Sequence, residues 1–418
     1  MINQVVILCG GRGTRLDSLT QATPKPMLLF GGRPFLDHLI HEYSRYPIDE
    51  IVLLAGFCGE QIHEAYHGNV FNGVKISVVI EKKLLGTLGA VLAAIEVLED
   101  EFLLLNGDSY VEFDFWKLHT FWEKIEKVAS AAMVVGRVEN CHRYGKVEVC
   151  EDRIVSLNEK GSGLSEGLIN LGIYIVRKES LKSYLTSKPI ELSLEKIYFP
   201  DVISKNKLFH IEVYDHAFID FGIPRDLEKL QLKMKNPPPV KAAFFDRDNT
   251  INIDNGYTFR TSDLNLCINI PDIIRSFSDR NYKIFIVSNQ SGVAREYYTE
   301  EDVWRFHGEL KKRLSIYGVF IDDIRFCPHH PTEGMESHVK NCDCRKPSNG
   351  MVVDLDNYWD IDLKKSVFVG DSDVDQICAE QSGVDFIRAT CFNQNSAFKA
   401  YFKNVDNQKE SNARHIRD

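Results

Sequence analysis

Three consecutive prolines, Pro237-Pro238-Pro239, interrupt the chain a little past its midpoint. Proline lacks an amide hydrogen and holds one backbone angle, so neither a helix nor a central strand continues through such a run. The run favours an extended, semi-rigid spacer. Directly after it, Lys241–Phe245 reads as a buried strand that opens into a charged loop, as the first strand of a new domain does. The 418 residues therefore divide into a first domain at 1–233, a spacer at 234–240, a second domain at 241–393 and a polar tail at 394–418. Each half is long enough to bury its own core.

Both halves predict an α/β fold. Val5–Leu8, Ile51–Leu54 and Phe102–Leu105 in the first half are apolar on both faces, as are Ala242–Phe245, Ile284–Val287 and Val367–Val369 in the second. Alternating with amphipathic segments, such runs indicate parallel sheets covered by helices. A composition of 44% apolar and 26% charged residues fits a soluble globular chain. A net charge of −10 excludes a general basic field for nucleic acid or an anionic membrane. No segment approaches the ~20 apolar residues that a membrane span needs, and the opening MINQVVILCGG lacks a basic leader, so it reads as a strand entering a loop. Of ten cysteines, Cys9, Cys58, Cys141, Cys150, Cys267, Cys378 and Cys391 stand singly and only Cys327, Cys342 and Cys344 cluster. That usage predicts a reduced, cytoplasmic protein with one metal site.

The first strand runs into Cys9-Gly10-Gly11-Arg12-Gly13-Thr14-Arg15-Leu16, followed by Pro24-Lys25-Pro26-Met27. Gly10, Gly11 and Gly13 let the backbone approach a phosphate chain, while Arg15 and Lys25 supply cations. Neither a Walker A nor a dinucleotide fingerprint is present. Further on come Glu81, Leu85-Gly86-Thr87-Leu88-Gly89, Leu105-Asn106-Gly107-Asp108, Glu159-Lys160, Asn170-Leu171-Gly172 and Asp220-Phe221-Gly222. This ordered series resembles the sugar nucleotidyltransferase family and covers the first half. The resemblance implies a Rossmann-like domain with a mixed, mostly parallel sheet. It places nucleotide binding at Gly10, Gly11, Gly13, Thr14, Arg15, Lys25, Glu81, Gly86 and Thr87, with Arg15 and Lys25 catalytic. Glu159, Lys160, Asn170 and Gly172 are then expected to bind the sugar phosphate, and Asp108 and Asp220 to hold Mg²⁺. Glu195 is left as structural or sugar-adjacent.

In the second half, Asp246-Arg247-Asp248-Asn249-Thr250 follows a buried strand. Two carboxylates one residue apart at such a position are costly unless a cation lies between them. Val287-Ser288-Asn289-Gln290-Ser291-Gly292, Arg345-Lys346-Pro347 and Val369-Gly370-Asp371-Ser372-Asp373-Val374-Asp375 appear next, in that order. The set resembles the haloacid dehalogenase superfamily, which implies a Rossmannoid domain and an aspartyl-phosphate intermediate. Asp246 is then the nucleophile and Asp248 the acid and base. Ser288, Asn289, Lys346, Arg345 and Arg295 bind phosphate, and Asp246, the main chain at Asp248, and Asp371 hold Mg²⁺. Asn249 stands where the superfamily has glycine, and asparagine tolerates the left-handed backbone that turn needs.

Cys327-Pro328-His329 and, after twelve intervening residues, Cys342-Asp343-Cys344 offer three thiolates and an imidazole, a donor set for a closed structural Zn²⁺ site. His330 and His338 are rivals for the nitrogen ligand. The zinc loop narrows the resemblance to the subgroup that acts on heptose bisphosphates and histidinol phosphate. A phosphatase joined to a nucleotidyltransferase then implies dephosphorylation of a heptose 1,7-bisphosphate at its 7-phosphate, followed by guanylyl transfer from GTP to the 1-phosphate. The alternatives are a hexose 1-phosphate nucleotidyltransferase fused to a histidinol-phosphate-type phosphatase, and a sugar-nucleotide sensor that regulates the phosphatase. Small-molecule substrates are expected, without nucleic acid or membrane partners, and homo-oligomerisation stays open.

Overall fold

A computed structural model describes residues 2–13, 16, 19–111, 113–141, 144–158, 166–185, 192–214, 218–221, 223–235, 237–391, 398–399 and 401–403. The chain divides into two compact units, the change falling between Pro237 and Pro238. The spacer is shorter than expected. The helix Pro224–Lys235 runs past residue 233, because nothing before Pro237 denies it an amide hydrogen, and Val240 already bridges to Ile361.

The first unit is built on a ten-stranded sheet. Its strands are Gln4–Leu8 (β1), Glu50–Ala55 (β2), Val70–Phe71 (β3), Val74–Ile80 (β4), Glu101–Asn106 (β5), Ala131–Val138 (β6), Lys146–Cys150 (β7), Arg153–Leu157 (β8), Gly167–Arg177 (β9) and Leu208–Val213 (β10). They lie in the order β7-β8-β10-β6-β9-β5-β1-β2-β4-β3. The expectation of a mostly parallel sheet needs correction. β4, β2, β1 and β5 are parallel, as are β6 and β10, but β9 runs antiparallel between β5 and β6. β9 also pairs antiparallel with β7, and antiparallel neighbours need no helical crossover. Val6, Val52, Leu54, Phe102 and Leu104 fill one core on a single face of this sheet. The alternate residues Val5, Ile7, Ile51, Leu53, Leu103 and Leu105 are buried as well, which is why the strands read as continuous apolar runs.

The second unit has a five-stranded, fully parallel sheet in the order β13-β12-β11-β14-β15. These are Lys241–Phe245 (β11), Tyr282–Asn289 (β12), Asp323–Cys327 (β13), Val367–Gly370 (β14) and Asp385–Arg388 (β15). Ala243, Phe245, Ile284 and Ile286 belong to the core on one face, and Ala242, Phe244, Phe285 and Val287 to the core on the other. Helices cover both faces, as a parallel sheet requires.

Two expectations about this unit change. Cys267 and Cys391 are bonded, with Cα atoms 4.6 Å apart, rather than standing singly. Their backbone amides donate to Ile251 and Asn249 of the loop after β11, which brings the distant residues together. Part of the polar tail is also core. Phe398 is buried and Tyr401 and Phe402 pack on Phe277, since aromatic side chains there gain from leaving water. No described helix is long and apolar enough to cross a membrane.

Candidate active sites

In the first unit, the chemistry-bearing loops leave the C-terminal ends of β1 and β5. The Gly10–Gly13 loop follows β1 and is tied to the end of β2, where Phe57 N donates to Gly10 O at 3.2 Å. Gly13 has φ 60° and accepts a hydrogen bond from Thr20. Lys25 opens a short 3-10 turn and is almost wholly buried. Its Nζ donates to Asp108 Oδ2 at 2.6 Å and lies 3.9 Å from Asp220 Oδ1. Asp108 and Asp220 meet because strand Phe218–Asp220 pairs antiparallel with Ser109–Val111, setting Asp220 opposite Ser109. The ammonium also rests over the Phe221 ring, 4.9 Å from its centroid. Two carboxylates around one cation are a donor set that suits a divalent metal.

The remaining groups of this half fall into two clusters. Glu81 accepts from Leu85 N at 3.1 Å, and burial pushes its carboxyl up against that bond. Gly86 begins the helix Gly86–Ala93, and Thr87 Oγ1 accepts from Leu194 N and donates to Glu195. Asn170 uses its amide to hold Tyr174 Oη at 2.7 Å and Gly172 N at 2.9 Å. A register shift lies between Asn170 and Tyr174, and Gly172 has φ 78°. A side chain at Gly172 would strike the Asn106 side chain, so this bulge seats β9 against the loop that carries Asp108. Gly11 lies in the same glycine loop. Thr14, Arg15, Glu159 and Lys160 lie outside the described residues.

In the second unit Asp246, Ser288 and Asp371 sit at the C-terminal ends of parallel strands, where an open α/β sheet gathers its ligands. Asp246 follows β11, Ser288 is the last residue but one of β12, and Asp371 follows β14. Lys346 Nζ lies 2.6 Å from Asp246 Oδ1, 2.6 Å from Asp375 Oδ1 and 2.9 Å from Val287 O. Burial pushes the Asp246 carboxyl up to about 7, against the pull of Lys346 and with the help of Asp375 and Asp248. Burial and Asp375 likewise push Asp371 up. Carboxylate oxygens of Asp246, Asp371 and Asp375 all lie within 4.8 Å of one another. Three acids, Asp246 and Asp375 buried and Asp371 half-buried, facing a single ammonium are short of positive charge, which fits a divalent cation among them.

Three assignments shift. Asp375 joins the acidic cluster, although the sequence reading gave it no task. It also forms a capping box with Ser372, and an i, i+4 aspartate after Asp371 at a helix start was the available signal. Asn289, expected on phosphate, instead clamps the backbone of Lys346: its Nδ2 donates to Lys346 O and its Oδ1 accepts from Lys346 N, both at 3.0 Å. The Asp248 side chain stays out of the acidic cluster and accepts from Arg247, Asn252 and Gln290. Asn249 does take the left-handed backbone, with φ 59°.

The thiol cluster is compact. Cys344 Sγ is 3.3 Å from Cys327 Sγ, 3.2 Å from Cys342 Sγ and 3.3 Å from His329 Nδ1. Such spacing suits a tetrahedron whose metal bonds are about 2.0–2.3 Å. The rival histidines are engaged elsewhere, His330 Nδ1 with Thr332 and Glu333 backbone amides and His338 with Glu300. Arg345 Nη1 donates to His329 O at 3.1 Å, so the cluster's histidine also orients the residue before Lys346. Arg295 pairs with Glu333 and lies 3.1 Å from His330 Nε2.

With this geometry in view, the comparisons with known proteins give the class first. A model of the nucleotidyl transferase family matches residues 4–236, more than half of the chain, and one of polynucleotide kinase 3 phosphatase matches 241–408. The chain belongs to the nucleotidyl transferase family and is a fusion of such a domain with a phosphatase of haloacid-dehalogenase type. Individual relatives narrow this. The D-glycero-alpha-D-manno-heptose 1-phosphate guanylyltransferase of Campylobacter jejuni is 34% identical over 53% of this chain and 96% of its own length. The same organism's D-glycero-alpha-D-manno-heptose-1,7-bisphosphate 7-phosphatase is 36% identical over 41% of this chain and 93% of its own. The D-glycero-beta-D-manno-heptose-1,7-bisphosphate 7-phosphatase of Rhodopseudomonas palustris is 38% identical over 36% of this chain and 84% of its own. The chain thus carries sugar-1-phosphate nucleotidyltransferase and phosphatase activities.

Proposed function

We propose that the chain catalyses two reactions in nucleotide-heptose synthesis: loss of the 7-phosphate from D-glycero-D-manno-heptose 1,7-bisphosphate, and transfer of GMP from GTP to the remaining 1-phosphate. One observation carries the reading. Within one chain, the acidic cluster around Asp246 accompanies the Lys25–Asp108–Asp220 group, and the halves resemble enzymes named for these successive substrates.

In the phosphatase half, an Asp246 oxygen attacks the 7-phosphorus and the bond to the sugar oxygen breaks. Asp248 gives its proton to that leaving oxygen. Water then attacks the aspartyl-phosphate, its proton passes to Asp248, and the acyl–phosphate P–O bond breaks to release phosphate and restore Asp246. Lys346 offsets negative charge at Asp246, while Ser288 donates to the transferring phosphoryl group. Asp246, Asp371 and Asp375 are the residues that would hold Mg²⁺, which when bound neutralises charge on the phosphoryl oxygens. Cys327, His329, Cys342 and Cys344 would hold Zn²⁺ and brace the loop leading to Lys346.

In the transferase half, a 1-phosphate oxygen attacks the α-phosphorus of GTP and the bond to pyrophosphate breaks. Arg15 and Lys25 stabilise the triphosphate, and Lys160 orients the incoming phosphate. Asp108 and Asp220 would hold Mg²⁺. The test supplies the bisphosphate, Mg²⁺ and each nucleoside triphosphate in turn and identifies the product by mass. GDP-heptose is the expected product. A different nucleotide sugar, or preferred hydrolysis of histidinol phosphate, overturns the assignment.

A further inference from the structure

The phosphatase centre contains a buried amide with no part in the chemistry written above. Gln290, 1% exposed, sits just beyond the end of β12. Its Nε2 donates to Asp248 Oδ2 at 2.8 Å and to Ser288 Oγ at 2.8 Å, so both of its N–H bonds are engaged. Its Oε1 accepts from Tyr298 Oη at 2.8 Å. We propose that Gln290 is a positioning residue which aligns the acid/base Asp248 with the phosphate ligand Ser288, and that Tyr298 and Gly292 lock its orientation. This rests on the reading of Asp248 as acid and base.

Hydrogen-bond chemistry decides which way the amide faces. Asp248 Oδ2 already accepts from Arg247 and the Tyr298 hydroxyl donates, so the nitrogen end faces Asp248 and the oxygen end faces Tyr298. Burial keeps the Tyr298 phenol protonated, hence a donor. The ring of Tyr298 is held flat. Phe259 stacks on it with centroids 4.9 Å apart, and a Cβ at Gly292 would come within 2.2 Å of the ring. Glycine at 292 is therefore what lets the phenol reach Gln290.

Two consequences follow for the reaction. Because Ser288 Oγ accepts from Gln290, its own O–H is left to donate, and the bond steers that proton away from Gln290 toward the phosphoryl group. Asp248 also has Arg247 as a partner, but that side chain belongs to the adjacent residue. Gln290 is the contact that ties Asp248 to the neighbouring strand, and so sets the spacing between the proton donor and the group that holds phosphate.

Leaving-group dependence tests this on the full chain. A sugar alkoxide needs the proton from Asp248, whereas p-nitrophenolate leaves without one. Gln290→Met, which keeps the volume and removes both donors, is expected to lower kcat on heptose 1,7-bisphosphate about 30-fold with KM changed less than about 3-fold, and kcat on p-nitrophenyl phosphate only about 3-fold. Tyr298→Phe should move the same ratio in the same direction by about 5-fold. Equal losses on both substrates, or a rise in KM alone, overturn the proposal. Should Gln290→Met fail to fold, Tyr298→Phe decides, and an unchanged ratio there is fatal. Asp248→Asn separates the two readings. If it is selective for the sugar substrate while the Gln290 and Tyr298 variants are not, the positioning role alone falls. If Asp248→Asn is itself unselective, the acid/base reading fails and the positioning role fails with it.

Discussion

Around Asp246 in the C-terminal half, the side chains of Asp246, Lys346 and Asp375 are 10%, 2% and 1% exposed, whereas Asp108 and Asp220 in the N-terminal half are 41% and 28% exposed. The contrast follows from the size of what is moved. A phosphatase transfers one phosphoryl group, so a closed nest of charges can be assembled in advance, with hydrogen bonds offsetting the cost of burial. A nucleotidyltransferase must admit a nucleoside triphosphate and a sugar phosphate together, which requires carboxylates that incoming ligands can reach. Buried groups gain in electrostatic strength, and exposed ones gain in access.

The sharpest way to break this comparison is to remove one nucleophile. Asp246→Asn should lower phosphate release from the bisphosphate by about 10³-fold or more, while pyrophosphate release with the heptose 1-phosphate supplied stays within about 2-fold. Loss of both activities would mean that the halves do not work as separate sites. The reciprocal change, Asp108→Ala, should cost about 10²-fold or more in nucleotidyl transfer and leave phosphate release unaltered, measured on the same preparation. Unchanged pyrophosphate release in that variant would instead favour a sensing domain.

Zinc should separate the halves by stability rather than chemistry. Cys344→Ser, or treatment with a strong chelator, is expected to abolish the one zinc per chain found by elemental analysis. It should also lower the melting temperature of the C-terminal transition by several degrees and reduce phosphate release several-fold. The N-terminal transition should not move.

The smallest effect is a pH slope. Burial, with Arg247 and Lys311 alongside, holds the His307 imidazole well below its ordinary 6.5. The folded chain therefore keeps His307 neutral where the unfolded chain takes up a proton. The stability that depends on this neutrality is fully present above pH 6.5 and declines below it, by at most about 1.4 kcal/mol per pH unit. Urea unfolding of the C-terminal half between pH 7 and 5 should show the slope, and His307→Leu should flatten it.

Much of both sites is legible in the sequence because each motif is a strand end plus its following loop, a local object. Gly10–Gly13, Asp108, Asp246, Ser288 and Asp371 all lie where a buried apolar run stops. The sheet of the N-terminal half was less legible. Nothing in the apolar pattern of Gly167–Arg177 says that it inserts antiparallel between β5 and β6, because a strand buried on both faces reads the same in either direction. The tail misled for a different reason: a few aromatic residues, Phe398 among them, outweigh the polar residues around them once a core is within reach.

What the sequence determined by itself is therefore the apolar runs that become central strands, the break at the prolines, the residue types gathered at each site and the Cys327, His329, Cys342 and Cys344 set, since all of these depend on residue type and short spacing. Only the tertiary structure decided that Asp375 shares Lys346 with Asp246, that Asn289 serves the lysine backbone, that Gln290 reaches Asp248, and that Cys267 meets Cys391. These are contacts between residues far apart in the chain. They exist because packing of the sheet and its helices brings the strand ends together, and no local periodicity encodes which side chains then face one another.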